Sequence, residues 1–234
     1  MSALASNSEN GKIYLLPGFD GTGELFAPLQ LALSNLAAVA VRYQDEKLFD
    51  DYVDSVVALL PSKDAILIAE SFSGPIALAL MARYPERIKC AVLCATFAVS
   101  PYRFLTRLSQ FVPSLFFRLS PTQPTILRTF CFDKESDPAL ISKAVSVIRS
   151  VPTGTIKSRL KVLADIDLRP LLSRITIPVL YLQAMQDKIV SEDLSKELVR
   201  GLSNITVQEI NGPHLLLQSR PEECAEIIRS FTSI

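Results

Sequence analysis

Ser71, Asp187 and His214, three side chains that can share a proton relay, occur in that order along a chain of 234 residues. His214 is the single histidine of the sequence, so any imidazole chemistry must run through it. A serine hydroxyl is a weak nucleophile until an adjacent base removes its proton. A carboxylate behind that base holds the imidazole tautomer and stabilises the imidazolium. An imidazole, with an ordinary pKa of about 6.5, can take that proton and return it near neutrality. These residue types therefore fit nucleophilic attack on an acyl carbon. Each also has an ordinary alternative: Ser71 as a helix N-cap, Asp187 as a surface charge, His214 as a structural histidine. The elements around them decide between the two.

Ser71 ends the apolar run Ile66-Leu67-Ile68-Ala69-Glu70 and precedes a helix-patterned, Ala-rich stretch from Gly74 to Tyr84 started by Pro75. A strand that turns sharply into a helix lifts a serine hydroxyl above the sheet. It also aims the helix N-terminus at developing negative charge. Such a turn leaves little room two residues before and after the serine. Ala69 and Ser73 stand there, with Gly74 one step further on. Asp187 follows a strand expected over Pro178 to Gln183. His214 lies in the short loop Asn211-Gly212-Pro213-His214 between a strand and the last helix. An acid after the strand ending near Ala95 has no candidate, because Thr96, Phe97, Ala98 and Val99 follow it.

The apolar runs around Ile13–Leu16, Ala38–Tyr43, Ala65–Ala69, Ile88–Ala95, Pro178–Gln183 and Ile205–Ile210 read as six strands. Helical spacing appears over Asp50–Leu60, Gly74–Tyr84, Ser191–Leu202 and Glu222–Phe231. Strands alternating with helices imply an α/β fold with a parallel sheet and right-handed crossovers. The alternation breaks once, between Ala98 and about Thr176. That stretch is helical in pattern over Arg103–Phe111, Ser114–Leu119, Pro138–Ser150 and Ser158–Ala164. An insertion of roughly 75 residues is too long for a loop. The expected organisation is a core of residues 1–97 and 177–234 with a helical cap, residues 98–176, inserted after the fourth strand.

Formal net charge is zero and hydrophobic content 49%, which suits one large domain and gives no reason to expect nucleic acid as a partner. The residues from Met1 to Asn10 lack the basic and apolar regions of a signal peptide, and no apolar run approaches a membrane span of about 18 residues. Four scattered cysteines fit free thiols in a reducing compartment, so a cytoplasmic location without metal or cofactor is expected. Charge is uneven, however. Ser100 to Pro170 holds eleven basic and five acidic residues, a net charge of +6.

Past the first strand runs Leu16-Pro17-Gly18-Phe19-Asp20-Gly21-Thr22-Gly23. Its three glycines could cradle a phosphate, but the loop lacks both a Gly-Lys-Ser/Thr ending and GxGxxG spacing. This phrase, together with Ala69-Glu70-Ser71-Phe72-Ser73-Gly74 and Gly212-Pro213-His214, resembles the α/β-hydrolase superfamily, in particular small bacterial serine esterases and thioesterases. The resemblance runs from about Lys12 to the end of the chain. It implies that Ser71, Asp187 and His214 form a triad. It also implies that the backbone N–H groups of Phe19 and Phe72 form the oxyanion hole.

The family resembled hosts many activities, so fold does not fix function. A serine nucleophile favours transfer of an acyl group to water. The leading expectation is an esterase on a small or medium acyl substrate. Thioesterase or methyl esterase action on carrier- or CoA-bound acyl chains is the alternative, and a ligand-binding protein with an idle triad is the third. Phe104, Phe111 and Phe116 are expected to line the acyl pocket, and the basic excess of the cap to meet an acidic acyl carrier.

Overall fold

In the computed structural model, residues 12–44, 46–100 and 123–233 are described. Six parallel strands form one sheet in the order β2-β1-β3-β4-β5-β6. They are β1 (Ile13–Leu16), β2 (Ala38–Ala40), β3 (Ala65–Glu70), β4 (Ile88–Cys94), β5 (Val179–Ala184) and β6 (Ile205–Ile210). β1, β3, β4 and β5 occupy the middle of the sheet and are almost wholly buried, which explains their mostly apolar content, rich in Val, Ile, Leu and Ala. The edge strands are more exposed, and β6 carries Thr206, Gln208 and Glu209.

The two-residue alternation of strand side chains divides the interior into two layers. Tyr14, Leu16, Leu67, Ala69, Ala91, Leu93, Val179 and Tyr181 point to one face. There they meet α2 (Phe49–Val57), α3 (Ser73–Arg83) and, further along the chain, α8 (Glu192–Gly201). Ile13, Leu15, Ile66, Ile68, Val92, Leu180 and Leu182 point to the other, against α1 (Ala27–Ala32), α9 (Leu216–Ser219) and α10 (Pro221–Thr232). Each fully buried Leu or Ile contributes about 1.5–3 kcal/mol of transfer free energy. Cys90 and Cys94 share the second face, as their spacing of four along a strand predicts.

Between β4 and β5 the described residues form α4 (Gln123–Cys131), α5 (Pro138–Ser150), α6 (Thr153–Asp165) and α7 (Arg169–Leu172). Where the chain leaves the sheet and where it returns, the two segments are tied together. Val99 pairs antiparallel with Asp167, Ser100 N–H donates to Ile166 O, and Leu168 N–H donates to Ala98 O. The helix expected over Pro138–Ser150 forms with those bounds, started by Pro138 and capped by the Asp137 carboxylate on Ala139 N–H at 2.8 Å. The α6 helix begins five residues before the expected Ser158, because Gly154 in its first turn weakens the pattern. The α4 helix was not among those expected from the sequence; Pro124 lies in its first turn, where proline is tolerated. The helices expected over 103–111 and 114–119 lie outside the described residues.

Candidate active site

The tips of three parallel strands converge on one point. β3 ends at Glu70, and Ser71 turns the chain into α3 with a left-handed φ of 48°. For a residue with a Cβ this conformation costs of order 1 kcal/mol or more and survives only where surrounding contacts fix it. Here Ser71 N–H donates to Cys94 O at 3.0 Å, Gly74 N–H donates to Ser71 O, and the Thr96 hydroxyl donates to the same carbonyl at 2.6 Å. A Cβ on Gly74 would meet Thr96 Oγ1 at 1.9 Å, so the steric demand of the turn falls on Gly74. Ser73 instead carries a polar task. Its buried Oγ donates to the Pro17 carbonyl and lies 2.7 Å from the Tyr43 hydroxyl.

The loop after β5 carries Asp187, and the loop after β6 carries His214. Gln186 N–H donates to Gly212 O at 2.9 Å, which locks the two loops together. His214 Nδ1 lies 2.8 Å from Asp187 Oδ2, and His214 Nε2 lies 3.0 Å from Ser71 Oγ. Both distances are within hydrogen-bond reach. The other carboxylate oxygen, Oδ1, accepts the N–H groups of Ile189 and Val190 at 2.7 and 2.9 Å. The imidazole and the carboxylate are each only 6% exposed, so water competes little for these bonds. Three residues 116 and 27 positions apart in sequence thus form one continuous relay.

Beside Ser71 runs the loop from Pro17 to Gly23. A Cβ on Gly18 would lie 3.9 Å from Ser71 Cβ, which places this backbone beside the serine. The Phe19 and Phe72 rings pack edge to face with centroids 6.1 Å apart, joining the loop to the start of α3. Among the described residues the Phe19 and Phe72 amides have no hydrogen-bond partner. Gly21 and Gly23 hold positive φ of 65° and 74°, which explains two of the three glycines by conformation. Asp20 closes the turn by accepting Thr22 N–H at 2.8 Å and the Thr22 hydroxyl at 2.6 Å.

The matching sequence model is that of the alpha/beta hydrolase fold, and it spans residues 16–221. The chain belongs to the α/β-hydrolase family. A curated relative, the AB hydrolase superfamily protein YisY of Bacillus subtilis (strain 168), is 28% identical over 202 residues, covering 82% of this chain and 74% of its own. Among solved structures, the enol-lactonase of Burkholderia xenovorans LB400 superposes with a TM-score of 0.83 at 19% identity. That match covers 98% of this chain and 94% of the lactonase. A thermophilic esterase from Thermogutta terrifontis superposes at 0.80 with 18% identity, covering 96% and 91%. At these identities the structural matches speak for the shared fold.

Four residues near the relay escaped the sequence reading. Glu70 is 1% exposed; it accepts the Gln218 side-chain N–H at 3.0 Å, and its Oε1 has no partner among the described residues. Burial pushes its carboxyl up to about 7, offset in part by the Gln218 hydrogen bond and the proximity of His214. Burial likewise raises the Asp20 carboxyl against the Thr22 hydrogen bonds that lower it. Arg159, counted above among the basic residues of the insertion, is 2% exposed and donates through Nη1 to the carbonyls of Phe19 and Asp20. Its single signal in sequence was helical phase: residue 159 falls between Ile156 and Val162 on the inner face of α6. Phe104, Phe111 and Phe116, the expected pocket lining, lie outside the described residues. Among the described residues no group of acidic, cysteine and histidine side chains could hold a metal, and no helix is long and apolar enough to cross a membrane.

Proposed function

We propose that this protein is a serine hydrolase that cleaves carboxylic ester bonds of a small or medium acyl substrate. The observation that carries the reading is the hydrogen-bonded series Ser71 Oγ–His214 Nε2 and His214 Nδ1–Asp187 Oδ2 at 3.0 and 2.8 Å, on a strained turn. Ser71 Oγ attacks the ester carbonyl carbon while His214 Nε2 takes its proton. The carbonyl oxygen, now negative, is received by the N–H groups of Phe19 and Phe72. Each such donor is worth on the order of 3 kcal/mol in the transition state. The tetrahedral adduct collapses, the alcohol leaves with the proton from His214, and an acyl-serine remains. Water then repeats the sequence: His214 takes its proton, its oxygen bonds the acyl carbon, and the acid departs as Ser71 regains the proton.

The basic excess of residues 100–170 gives a carrier-bound thioester weaker support than its formal charge suggests. Lys143 pairs with Glu24, Arg169 with Asp167 and Glu197, and Arg159 is spent on two core carbonyls. The α4–α7 helices, as the described part of a cap over residues 98–176, would then act chiefly by shaping the acyl pocket.

The test is intact mass after exposure to a fluorophosphonate probe, on wild type and Ser71→Ala. One adduct on wild type and none on the variant is expected, followed by turnover of p-nitrophenyl esters of varied chain length. A wild-type protein that takes no adduct and turns over no ester would defeat the proposal.

A further inference from the structure

Among the described residues Arg159 is the largest fully buried side chain, and it comes from the helical insertion rather than from the sheet. Its Nη1 donates to Phe19 O at 2.9 Å and to Asp20 O at 2.5 Å. Its Nε has no partner among the described residues. A buried guanidinium with incomplete hydrogen bonding is a poor stabiliser compared with an apolar side chain of the same volume. Its two captured carbonyls are consecutive, and they belong to Phe19, whose N–H the serine-hydrolase reading assigns to the oxyanion hole, and to Asp20. The loop is built to receive it. A Cβ on Gly21 would lie 2.3–2.6 Å from the guanidinium and displace it, and the φ of 65° favours glycine there as well. Of the loop's three glycines, Gly21 is the one that leaves room for an arginine of the same chain.

We propose that Arg159 is a positioning residue for the oxyanion hole, fixing the Phe19 N–H by clamping the two carbonyls that follow it; this rests on the serine-hydrolase reading above. A backbone N–H contributes to catalysis only if its direction is set before charge develops. The peptide Gly18–Phe19 that carries the donor has soft torsions on both sides. Upstream it is restrained by Ser73 on the Pro17 carbonyl; downstream Arg159 pins Phe19 O and Asp20 O. The turn bond from Gly21 N–H to Gly18 O and the Asp20–Thr22 bonds close the loop on itself, and Tyr43 N–H anchors Gly21 O at 2.9 Å, while among the described residues it is Arg159 that holds the Phe19 and Asp20 carbonyls. The planar fork of arginine supplies a direction that the point charge of lysine does not. Oxyanion stabilisation in this protein therefore depends on α6 being docked on the core.

The experiment compares wild type, Arg159→Ala and Arg159→Lys on p-nitrophenyl butyrate, with n-butylboronic acid as a mimic of the tetrahedral adduct. For Arg159→Ala, kcat should fall about 100-fold, the loss expected for one oxyanion donor, with KM within about threefold. Boronate inhibition should weaken in parallel, and added methylguanidinium should restore kcat at least about tenfold. Arg159→Lys should lose at least about tenfold in kcat despite keeping the charge. Unchanged kcat and boronate affinity in both variants, or a rise in KM alone, would overturn the proposal. Hydrogen exchange of the peptide covering residues 16–25 reads the loop without any turnover. It should quicken in both variants while the β3 and β4 peptides stay protected, and unchanged exchange there would also overturn the clamp. A wild type inert to esters and probe would count against the serine-hydrolase reading, and the exchange data alone would then decide whether Arg159 holds the loop.

Discussion

The hydroxyls of Tyr43 and Ser73 meet at 2.7 Å in the protein interior, and Ser73 passes the contact on to the Pro17 carbonyl. Burial pushes the Tyr43 phenol well above its usual range, so Tyr43 keeps its proton and donates it to Ser73 Oγ. Ser73 donates in turn to Pro17. A chain of two hydrogen bonds therefore runs from Tyr43 through Ser73, two places past Ser71, to the loop beside Ser71. Many turns of this kind place glycine at that position; here the side chain acts as a tie between two segments of the site.

Replacing Ser73 by Ala leaves both the Tyr43 hydroxyl and the Pro17 carbonyl without this partner in a dry environment. The expected loss is about 1–3 kcal/mol of stability. Tyr43→Phe leaves the Ser73–Pro17 bond in place and should cost less, about 1 kcal/mol. In a double-mutant cycle read by urea denaturation the two changes should couple by at least about 0.5 kcal/mol. Strict additivity would show that the two hydroxyls do not act as a chain.

Glu70 makes stability depend on pH, with a sign opposite to that of an ion-paired carboxylate. Its folded pKa, about 7, lies above the ordinary value of 4.5, so the fold prefers the protonated acid. Its contribution is fully present below about pH 4.5 and is lost as pH rises through about 7. The groups facing it are Gln218, whose N–H donates to the carboxyl and lowers its pKa in part, and the side chains of His214, Asp20 and Asp187. Glu70→Gln retains the shape and an acceptor for Gln218 but cannot ionise. Measured by urea midpoints, the variant should match wild type near pH 4.5 and exceed it by roughly 2–4 kcal/mol at pH 8. Equal midpoints at pH 8 would rule out a buried, ionising Glu70.

The sheet was legible because its central strands are covered on both faces and so read as unbroken apolar runs. Ser71 and Asp187 were legible because each stands just past such a run, and His214 because it is the single histidine and follows the edge strand β6; strand ends are where parallel sheets hold their sites. Arg159, Glu70 and Ser73 were not legible, for a common physical reason. Their meaning lies in partners 140, 148 and 56 positions away, the carbonyl of Phe19, the amide of Gln218 and the carbonyl of Pro17. No local period marks such a pairing. A basic residue on a helix reads as solvated by default, and helical phase, the one local signal for Arg159, does not say which groups it meets. The β2 strand was expected to run to Tyr43 and stops at Ala40, since the Tyr43 ring turns in to pack against Tyr52 and Phe72.

All four cysteines are free and buried. Burial pushes the thiols of Cys90 to about 11 and of Cys131 and Cys224 to about 12, and raises Cys94 well above its ordinary value. The thiolate is the reactive form, so native protein should present almost none at pH 8. Titration with a disulfide reagent should therefore count no thiol within minutes in buffer and four in denaturant. A fast-reacting thiol in the native state would place one of them at the surface.

Asp187 uses both carboxylate oxygens as acceptors, Oδ2 toward His214 Nδ1 and Oδ1 toward the N–H groups of Ile189 and Val190. Asparagine has one acceptor and one donor in the same space. If its oxygen stays on the two backbone amides, its NH2 faces Nδ1 and forces the proton onto Nε2, so the ring cannot accept from Ser71. If it flips, the two amides face a donor instead. Either way a contact the site requires is reversed. On the serine-hydrolase reading, Asp187→Asn should lower kcat by about 10³- to 10⁴-fold with little change in KM. The orphaned or repelled amides should also cost about 1–3 kcal/mol of stability if the flip occurs, which denaturation separates from the first arrangement. A variant with near-wild-type kcat on the ester that wild type turns over would remove Asp187 from the relay and leave Ser71 and His214 to act as a pair.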